Sequence, residues 1–272
     1  MAPMLDSRFR GNDKTSRGIF SNTVQQALKL IQAGDLQKVV LAQRHTLTCS
    51  KPIDSIALLE RLMAYFPKGH HYLFEPKPGL AFIGASPERL YRRTGLNIES
   101  EAQAGTRLLG EALEQELLNS PKDNREHQLV VDNILKALKD ICLDYGVTKS
   151  KHIVKLPNVQ HLKTLLAGIL KESVTDQDIL KALHPTAAVC GWPLAKAFET
   201  IRALEDFDRG FYAGAFGIVG SESSEFNVAI RGAVISGCEL HTFAGAGIVT
   251  GSKAFDEQQE IENKMAFWRN LL

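Results

Sequence analysis

The chain lacks the marks of a disulfide scaffold, a zinc site or a membrane span. Its four cysteines, Cys49, Cys142, Cys190 and Cys238, are far apart and form no C-x-x-C pair. That spacing argues against zinc and disulfide frameworks and fits a reducing, cytoplasmic setting. No apolar run reaches the roughly 20 residues of a spanning helix, so no membrane partner is expected. Neither sign of charge dominates: 32 basic residues stand against 31 acidic ones, for a net charge of +1. With no basic stripe interleaved with aromatics, nucleic acid is not an expected partner. There is no periodic repeat and no low-complexity segment. The opening MAPMLDSRFRGNDKTSRG has no apolar core of a secretory signal, and Asp6 and Asp13 count against an amphipathic targeting peptide. Residues 1–20 therefore read as a disordered leader.

What is present is ordinary globular sequence. With 44% hydrophobic and 23% charged residues over 272 positions, the chain can bury a real core. A helix is expected from Ser21 to Gly34, with Val24, Ala27, Leu28 and Ile31 on one side. Residues 36–49 follow as a strand apolar on both faces, hence buried. Lys38 enters that strand. A lysine there is commonly a surface residue whose stem snorkels; the other reading is a desolvated amine that can act as a base. Asp54 to Phe66 reads as a helix, and HHYLFEP and GLAFIGAS as a hairpin turning at Pro76 to Gly79. Glu88 lies just past the turn set by Pro87. It is either a bystander or, in an apolar pocket, a carboxyl kept protonated as an acid. Ala104, Gly105 and Thr106 offer backbone that a ligand can approach closely.

A short helix over Glu111 to Leu118 precedes a long one expected over Ser120 to Tyr145, capped by Ser120 or Asp123 and ended by Gly146. Glu126 lies near its start, where the helix dipole alone would favour an acid. Two strands flank a bend at Pro157. In LHPTAAVCGWP, His184 either caps a helix end or donates to a bound oxyanion. FYAGAFGIVG, EFNVAIRGAVI and ELHTFAGAGIV read as three successive antiparallel strands, with Arg231 mid-strand among apolar residues. A buried arginine needs an anion, from the protein or from a ligand.

The last stretch, FAGAGIVTGSKAFDEQQEIENKMAFW, runs from strand through a glycine-rich turn (Gly245, Gly247, Gly251) into a helix. GAGIVTG is one residue too long for a dinucleotide fingerprint and lies at the wrong end for one. On the helix, Glu257, Glu260 and Lys264 share a face. A solvated i,i+4 pair is the plain reading of Glu260 and Lys264. Taken together, Glu88, Glu126, Glu257, Glu260, Lys38, Arg231, Lys264 and His184 suggest oxygen-only ligation of Mg²⁺ and a small, multiply anionic substrate.

Nine blocks, in order, extend that reading: KVVLAQR, FIGASPERL, EAQAGTR, KDNREHQLVV, LPNVQHL, LHPTAAVCGWP, FDRGFYAGAFGIVG, AIRGA and AGAGIVTGSKAFDEQQEIENK. From about Ser21 onward the chain resembles the chorismate-utilising enzymes. These include isochorismate, salicylate and anthranilate (component I) synthases and aminodeoxychorismate synthase component I. The resemblance implies an α+β fold, an α/β/β/α sandwich of mostly antiparallel sheets with helices outside, over residues 21–272. It implies Mg²⁺ ligands at Glu126 and Glu260 with Glu257 close by, and chorismate as substrate. Arg231, Lys264, the Gly245–Gly247 segment and Tyr212 would meet the enolpyruvyl carboxylate. Glu88 would be the general acid at the C4 hydroxyl, and Lys38 the base that activates water at C2.

Family members that use ammonia tend to carry glutamine at the position of Lys38. Aminodeoxychorismate synthases typically carry a nucleophilic lysine where this chain has Ala104. Both residues favour water as nucleophile. The expected activity is chorismate to isochorismate, the start of menaquinone and siderophore branches. Salicylate synthase, anthranilate synthase component I and an inactive truncated chorismate binder are the alternatives. Family members normally carry a long further stretch before the KVVLA block, contributing to the same sandwich. Here only the short leader precedes it, so exposed edges and self-association through surface that stretch would cover are expected.

Overall fold

In the computed structural model the described residues are 13–272, and most of the leader lies outside them. Along the chain run α1 (Asp13–Gln32), β1 (Lys38–Thr48), α2 (Ser55–Tyr65), β2 (His70–Lys77), β3 (Leu80–Ser86), β4 (Arg89–Thr94) and β5 (Asn97–Leu108). Next come α3 (Glu111–Asn119), α4 (Pro121–Ile141), β6 (Cys142–Lys155), β7 (Val159–Leu170), α5 (Asp176–Leu183), β8 (Gly191–Trp192) and α6 (Leu194–Leu204). The chain ends with β9 (Ala215–Val219), β10 (Ser223–Val228), β11 (Gly232–Ser236), β12 (Glu239–Val249), α7 (Ala254–Met265) and α8 (Trp268–Leu271).

The strands form two antiparallel six-stranded sheets, β2-β3-β11-β12-β1-β8 and β6-β7-β5-β4-β10-β9. This is the expected α+β class. Helix α1 lays Phe20, Val24, Ala27 and Ile31 on the first sheet, where α7 adds Ile261 and Met265 and α6 adds Ala197 and Ile201. Helices α2 and α8 cover the β3 and β11 end of that sheet with Leu58, Leu62, Trp268 and Leu271. Helices α4 and α5 pack Val130, Ile134, Leu138, Ile179 and Leu183 with β5 and β7 residues of the second sheet. Tyr72 of β2 meets Phe216 of β9 at 4.4 Å between ring centroids, a contact between the two sheets. Among the described residues no helix is long and apolar enough to cross a membrane.

Three local expectations need correcting. Helix α1 starts at Asp13, inside the stretch read as leader, and buries Phe20. Helix α4 stops at Ile141, where Cys142 donates its N–H to Leu138. Residues up to Gly146 belong to β6 instead, because a ladder with β7 begins at Cys142↔Leu170; tertiary pairing overrides the helical pattern. EFNVAIRGAVI is two strands, not one. β10 pairs with β4 in the second sheet and β11 with β3 in the first, so the chain changes sheets between Val228 and Gly232. Arg231 sits in that crossing with φ +53°, a left-handed backbone. Such strain is held in place only by a well-determined surrounding.

Candidate active site

The change of sheets leaves room between β5, β7, β12 and α7, and a cavity opens there. Its walls include Glu88, Gln103, Ala104, Gly105, Thr106, Glu126, His161, Tyr212, Arg231, Gly245, Gly247, Glu260 and Lys264. Mouth included, the space is about 630 Å³, a size suited to a small molecule. Eleven of the residues singled out from sequence thus line one cavity; the other three do not.

Lys38 lies just behind it. As the first residue of β1 it is fully buried, with Nζ 3.1 Å from Glu126 Oε1 on α4. The snorkelling reading therefore fails. β12 makes the closeness of that pair tolerable, because Val40 pairs with Gly247. A Cβ on Gly247 would lie 2.1 Å from Glu126 Oε1 and 2.9 Å from Lys38 Cε. Gly245 and Gly247 are strand residues, so the expected glycine-rich turn begins only after Val249. Their absent side chains matter through close approach, not through a turn conformation.

Helix α7 supplies the opposite wall. Lys264 Nζ lies 2.7 Å from Glu260 Oε1 and donates to the Gly245 carbonyl at 2.8 Å. Thr106 donates to the same carboxylate at 3.2 Å. This is a half-buried i,i+4 pair, not a solvated one. Burial pushes the Glu260 carboxyl up, but Lys264 and Lys122 outweigh it and hold it at about 2. Glu257 stands outside the cavity wall, beside a neighbouring hollow that shares Thr106 and Glu260 with it. It is almost fully buried, with Lys122 Nζ 2.8 Å from its Oε1. Burial raises it to about 7 against that ammonium, with Glu260 and Glu126 adding to the rise.

His184 is not in the site. It ends α5 with its N–H on the Leu180 carbonyl, while Ala188 and Val189 of the same loop reach the cavity. The histidine of the site is His161 on β7, which sequence reasoning missed. Its Nδ1 is 3.0 Å from the Gly105 carbonyl and its Nε2 3.2 Å from an Arg231 nitrogen. A neutral ring that donates from Nδ1 and accepts at Nε2 satisfies both. Burial, then Arg231 and Lys264, push it down to about 3, so it stays neutral. Arg231 also donates to the Lys264 carbonyl at 3.1 Å. Among the described residues no carboxylate lies within salt-bridge distance of Arg231. Burial lowers it to about 10, which leaves it a cation at neutral pH.

Lys122, also missed, reaches Glu257 at 2.8 Å and Glu126 Oε2 at 3.7 Å. Among the described residues no three acidic, histidine or cysteine side chains already converge as a metal site. The donor set nevertheless fits a hard divalent cation. Glu126 Oε2 and Glu257 Oε2 are buried and have no hydrogen-bond partner, a costly state for carboxylate oxygens. Oxygen-only ligands of this kind suit Mg²⁺.

Glu88 also lines the cavity. Its carboxyl is buried and raised to about 8, by desolvation first and then by Glu101, against the lowering effect of Lys163, Lys38 and Lys264. A carboxylic acid that stays protonated at neutral pH can donate a proton. Taken as a whole, the site holds one neutral acid, three further carboxylates and four cations around a cavity.

Known proteins share this arrangement of sequence and fold. Isochorismate synthase 2, chloroplastic, of Arabidopsis thaliana is 41% identical over 94% of this chain and 47% of its own length. Isochorismate synthase MenF of Pasteurella multocida is 40% identical over 93% of this chain and 61% of its own. The solved structure of MenF, the menaquinone-specific isochorismate synthase from Escherichia coli, superposes with a TM-score of 0.87 at 35% identity, covering 94% of this chain and 61% of that one. The chain thus spans about half to three-fifths of the length of these relatives. A family profile described as "Chorismate binding enzyme" matches residues 4–272, and the chain belongs to that family.

Proposed function

We propose that this chain converts chorismate to isochorismate: water adds at C2, the ring double bond shifts, and the C4 hydroxyl leaves as water. The observation that carries the reading is the buried Glu88 acid, protonated up to about 8, lining one cavity with an Arg231 cation that has no carboxylate within salt-bridge distance among the described residues. Chorismate brings two carboxylates and a hydroxyl leaving group, which match these two features. The names of the relatives support the choice within the family.

Each residue then has a stated part. Arg231 and Lys264 face the enolpyruvyl carboxylate, with Tyr212 beside them on the wall. Glu88 gives its proton to the departing C4 oxygen, which must leave as water rather than hydroxide. Lys38 takes a proton from the attacking water at C2. It can do so only as the neutral amine, so the ammonium paired with Glu126 must first give up its proton. Ala104 leaves the Ala104–Thr106 segment without a competing side-chain amine. Mg²⁺, held by Glu126 and Glu260 with Glu257 beside them, would supply positive charge to the ring carboxylate. One proton enters from Glu88 and one leaves to Lys38, so no net proton is consumed.

The test is turnover of chorismate by the purified chain with Mg²⁺, with and without ammonium, products separated by chromatography. Isochorismate in both conditions is the expected result. Salicylate with pyruvate, or anthranilate that appears only with ammonium, would overturn the choice of reaction. A folded sample that binds chorismate without any product would overturn enzymatic function for this chain.

A further inference from the structure

Behind Glu88, away from the cavity, the second sheet buries an ion pair that the proposed chemistry does not use. Glu101 of β5 and Lys163 of β7 meet at 2.8 Å, with side chains only 10% and 12% exposed. They lie diagonally across the β5–β7 ladder, where Glu101 pairs with Leu165 and Gln103 with Lys163. A buried pair is usually no gain in stability over apolar residues of similar volume, so its presence calls for another account.

The backbone supplies one. The β4–β5 ladder runs out at Arg92↔Glu99. Beyond it the chain bends away through Glu88, and the Arg89 N–H loses its strand partner. Glu101 Oε1 accepts that N–H at 2.6 Å. Ser86 Oγ accepts from the Glu88 N–H at 3.1 Å, and Val228 donates to the Glu88 carbonyl at 3.1 Å. Glu88 is thus pinned on both sides, and one of the pins is a carboxylate whose charge also bears on its own.

Resting on the isochorismate reading, we propose that Glu101, balanced by Lys163, is a positioning residue that sets both the place and the proton occupancy of the Glu88 carboxyl. The charged groups facing Glu88 come from four elements: Glu101 on β5, Lys163 on β7, Lys38 on β1 and Lys264 on α7. On the outer side of the pair, His70, Arg89 and Glu225 form a second cluster, with Glu225 3.2 Å from His70 and 3.6 Å from Arg89. Of all these, only the carboxylate of Glu101 keeps the proton on Glu88; the neighbouring lysines work against it. Lys163 in turn holds the Glu101 carboxylate at 2.8 Å, by its other oxygen. The pair therefore tunes the acid without touching substrate.

The experiment is a pH titration of the Glu88 carboxyl carbon by NMR in ¹³C-labelled protein, assigned with Glu88→Gln. It compares the wild type, Glu101→Gln, Lys163→Met and the double variant. Glu101→Gln keeps an acceptor for the Arg89 N–H and removes the charge. Its Glu88 midpoint should fall by about one pH unit, the ordinary size of a close-charge effect. Lys163→Met should move the midpoint up. The double variant should return it to within a few tenths of a unit of wild type. The high-pH limb of kcat/KM should track each shift with KM little changed, and Glu101→Ala should lose further kcat because the Arg89 N–H is released.

An unmoved midpoint in Glu101→Gln, or a double variant that stays with that single variant, overturns the proposal. If Glu101→Gln does not fold, an unmoved midpoint in Lys163→Met does the same. Absence of turnover in the wild type would overturn the functional reading alone, because the titration still decides what the pair does.

Discussion

Gly247→Ala adds one methyl group at the closest contact in the site. A Cβ there would lie 2.1 Å from Glu126 Oε1, 2.8 Å from Glu126 Cδ and 2.9 Å from Lys38 Cε, where ordinary contact begins at 3.4 Å. The carboxylate must therefore retreat by about 1.3 Å. The backbone cannot yield instead, because Gly247 lies within the ladder that pairs β1 with β12 from Lys38↔Val249 to Thr48↔Glu239. Overpacking of this kind costs about 1–3 kcal/mol, offset by roughly 0.5–1 kcal/mol from replacing a strand glycine. A net destabilisation of about 1–2 kcal/mol is expected. Catalysis should suffer more. A misplacement near 1 Å costs on the order of 100-fold in rate, and here it falls on the proposed general base and a proposed metal ligand together. Chorismate turnover and thermal melting of the same sample give both numbers. Gly146→Ala is the control: Gly146 lies in β6 with nothing within 4 Å of its added methyl, so its stability should change by less than about 0.5 kcal/mol. A Gly247→Ala protein with wild-type kcat would refute the placement of Lys38 and Glu126 at the reacting centre.

Three further outcomes follow from the same geometry. On the proposed mechanism Glu88 acts only when protonated, so kcat/KM should fall about tenfold per pH unit above roughly pH 8. Because its folded value lies above the unfolded one, Glu88 also lowers stability as pH rises from about 4.5 to about 8; Glu88→Gln should raise Tm relative to wild type at pH 9 more than at pH 5, and a pH-independent difference would contradict the buried acid. Lys38→Gln should lower turnover by roughly 10²–10⁴-fold while calorimetric chorismate affinity stays within a few fold. Unchanged turnover in that variant would remove Lys38 from the role of base.

The sequence revealed elements well where one local rule governed them. The helix read over Asp54 to Phe66 is α2, with Asp54 accepting from the Ile56 and Ala57 N–H groups at its start. The apolar two-faced pattern of β1 is buried over Lys38–Ala42. Errors fell where the chain's partner decided. Residues after Ile141 carry a helical pattern up to Gly146, yet β7 claims them as a strand. The run from Glu225 to Ile235 reads as unbroken, but its two halves pair with β4 and β3 in different sheets. Nothing local to the run says that Arg231 takes a left-handed turn between them.

The site was legible to the extent that its residues carry charge in apolar company. Lys38 and Arg231 stood out for that reason. His161 did not, because a histidine alternating with Leu162 on a strand looks like any half-buried position. Only the approach of Arg231 and Gly105 gives it a task. Lys122 lies in the first turn of α4, and its reach to Glu257 depends on where α7 lies. His184 was over-read, since its loop reaches the cavity through Ala188 and Val189 instead.

The charges that do converge say how ligands must enter. Lys38, Lys122, Lys264 and Arg231 stand against Glu126, Glu257 and Glu260, while Asp123 is closed off by Arg107 at 2.8 Å and Glu88 is neutral. With Glu257 ionised, as it is above about pH 7, the site carries one positive charge in excess. A divalent cation alone would raise that excess to three in a buried setting, where uncompensated charge is expensive. A dianion alone would reverse its sign. Together they leave the balance unchanged. On the isochorismate reading, Mg²⁺ and chorismate therefore bind with positive coupling, and linkage requires each to tighten the other by the same factor. Calorimetry of chorismate binding with and without Mg²⁺ should show at least about tenfold tighter binding with the metal, a coupling of roughly 1.4 kcal/mol. Glu260→Ala should erase most of it. Equal affinities in the wild type would refute both the ligand assignment and the charge balance from which it follows.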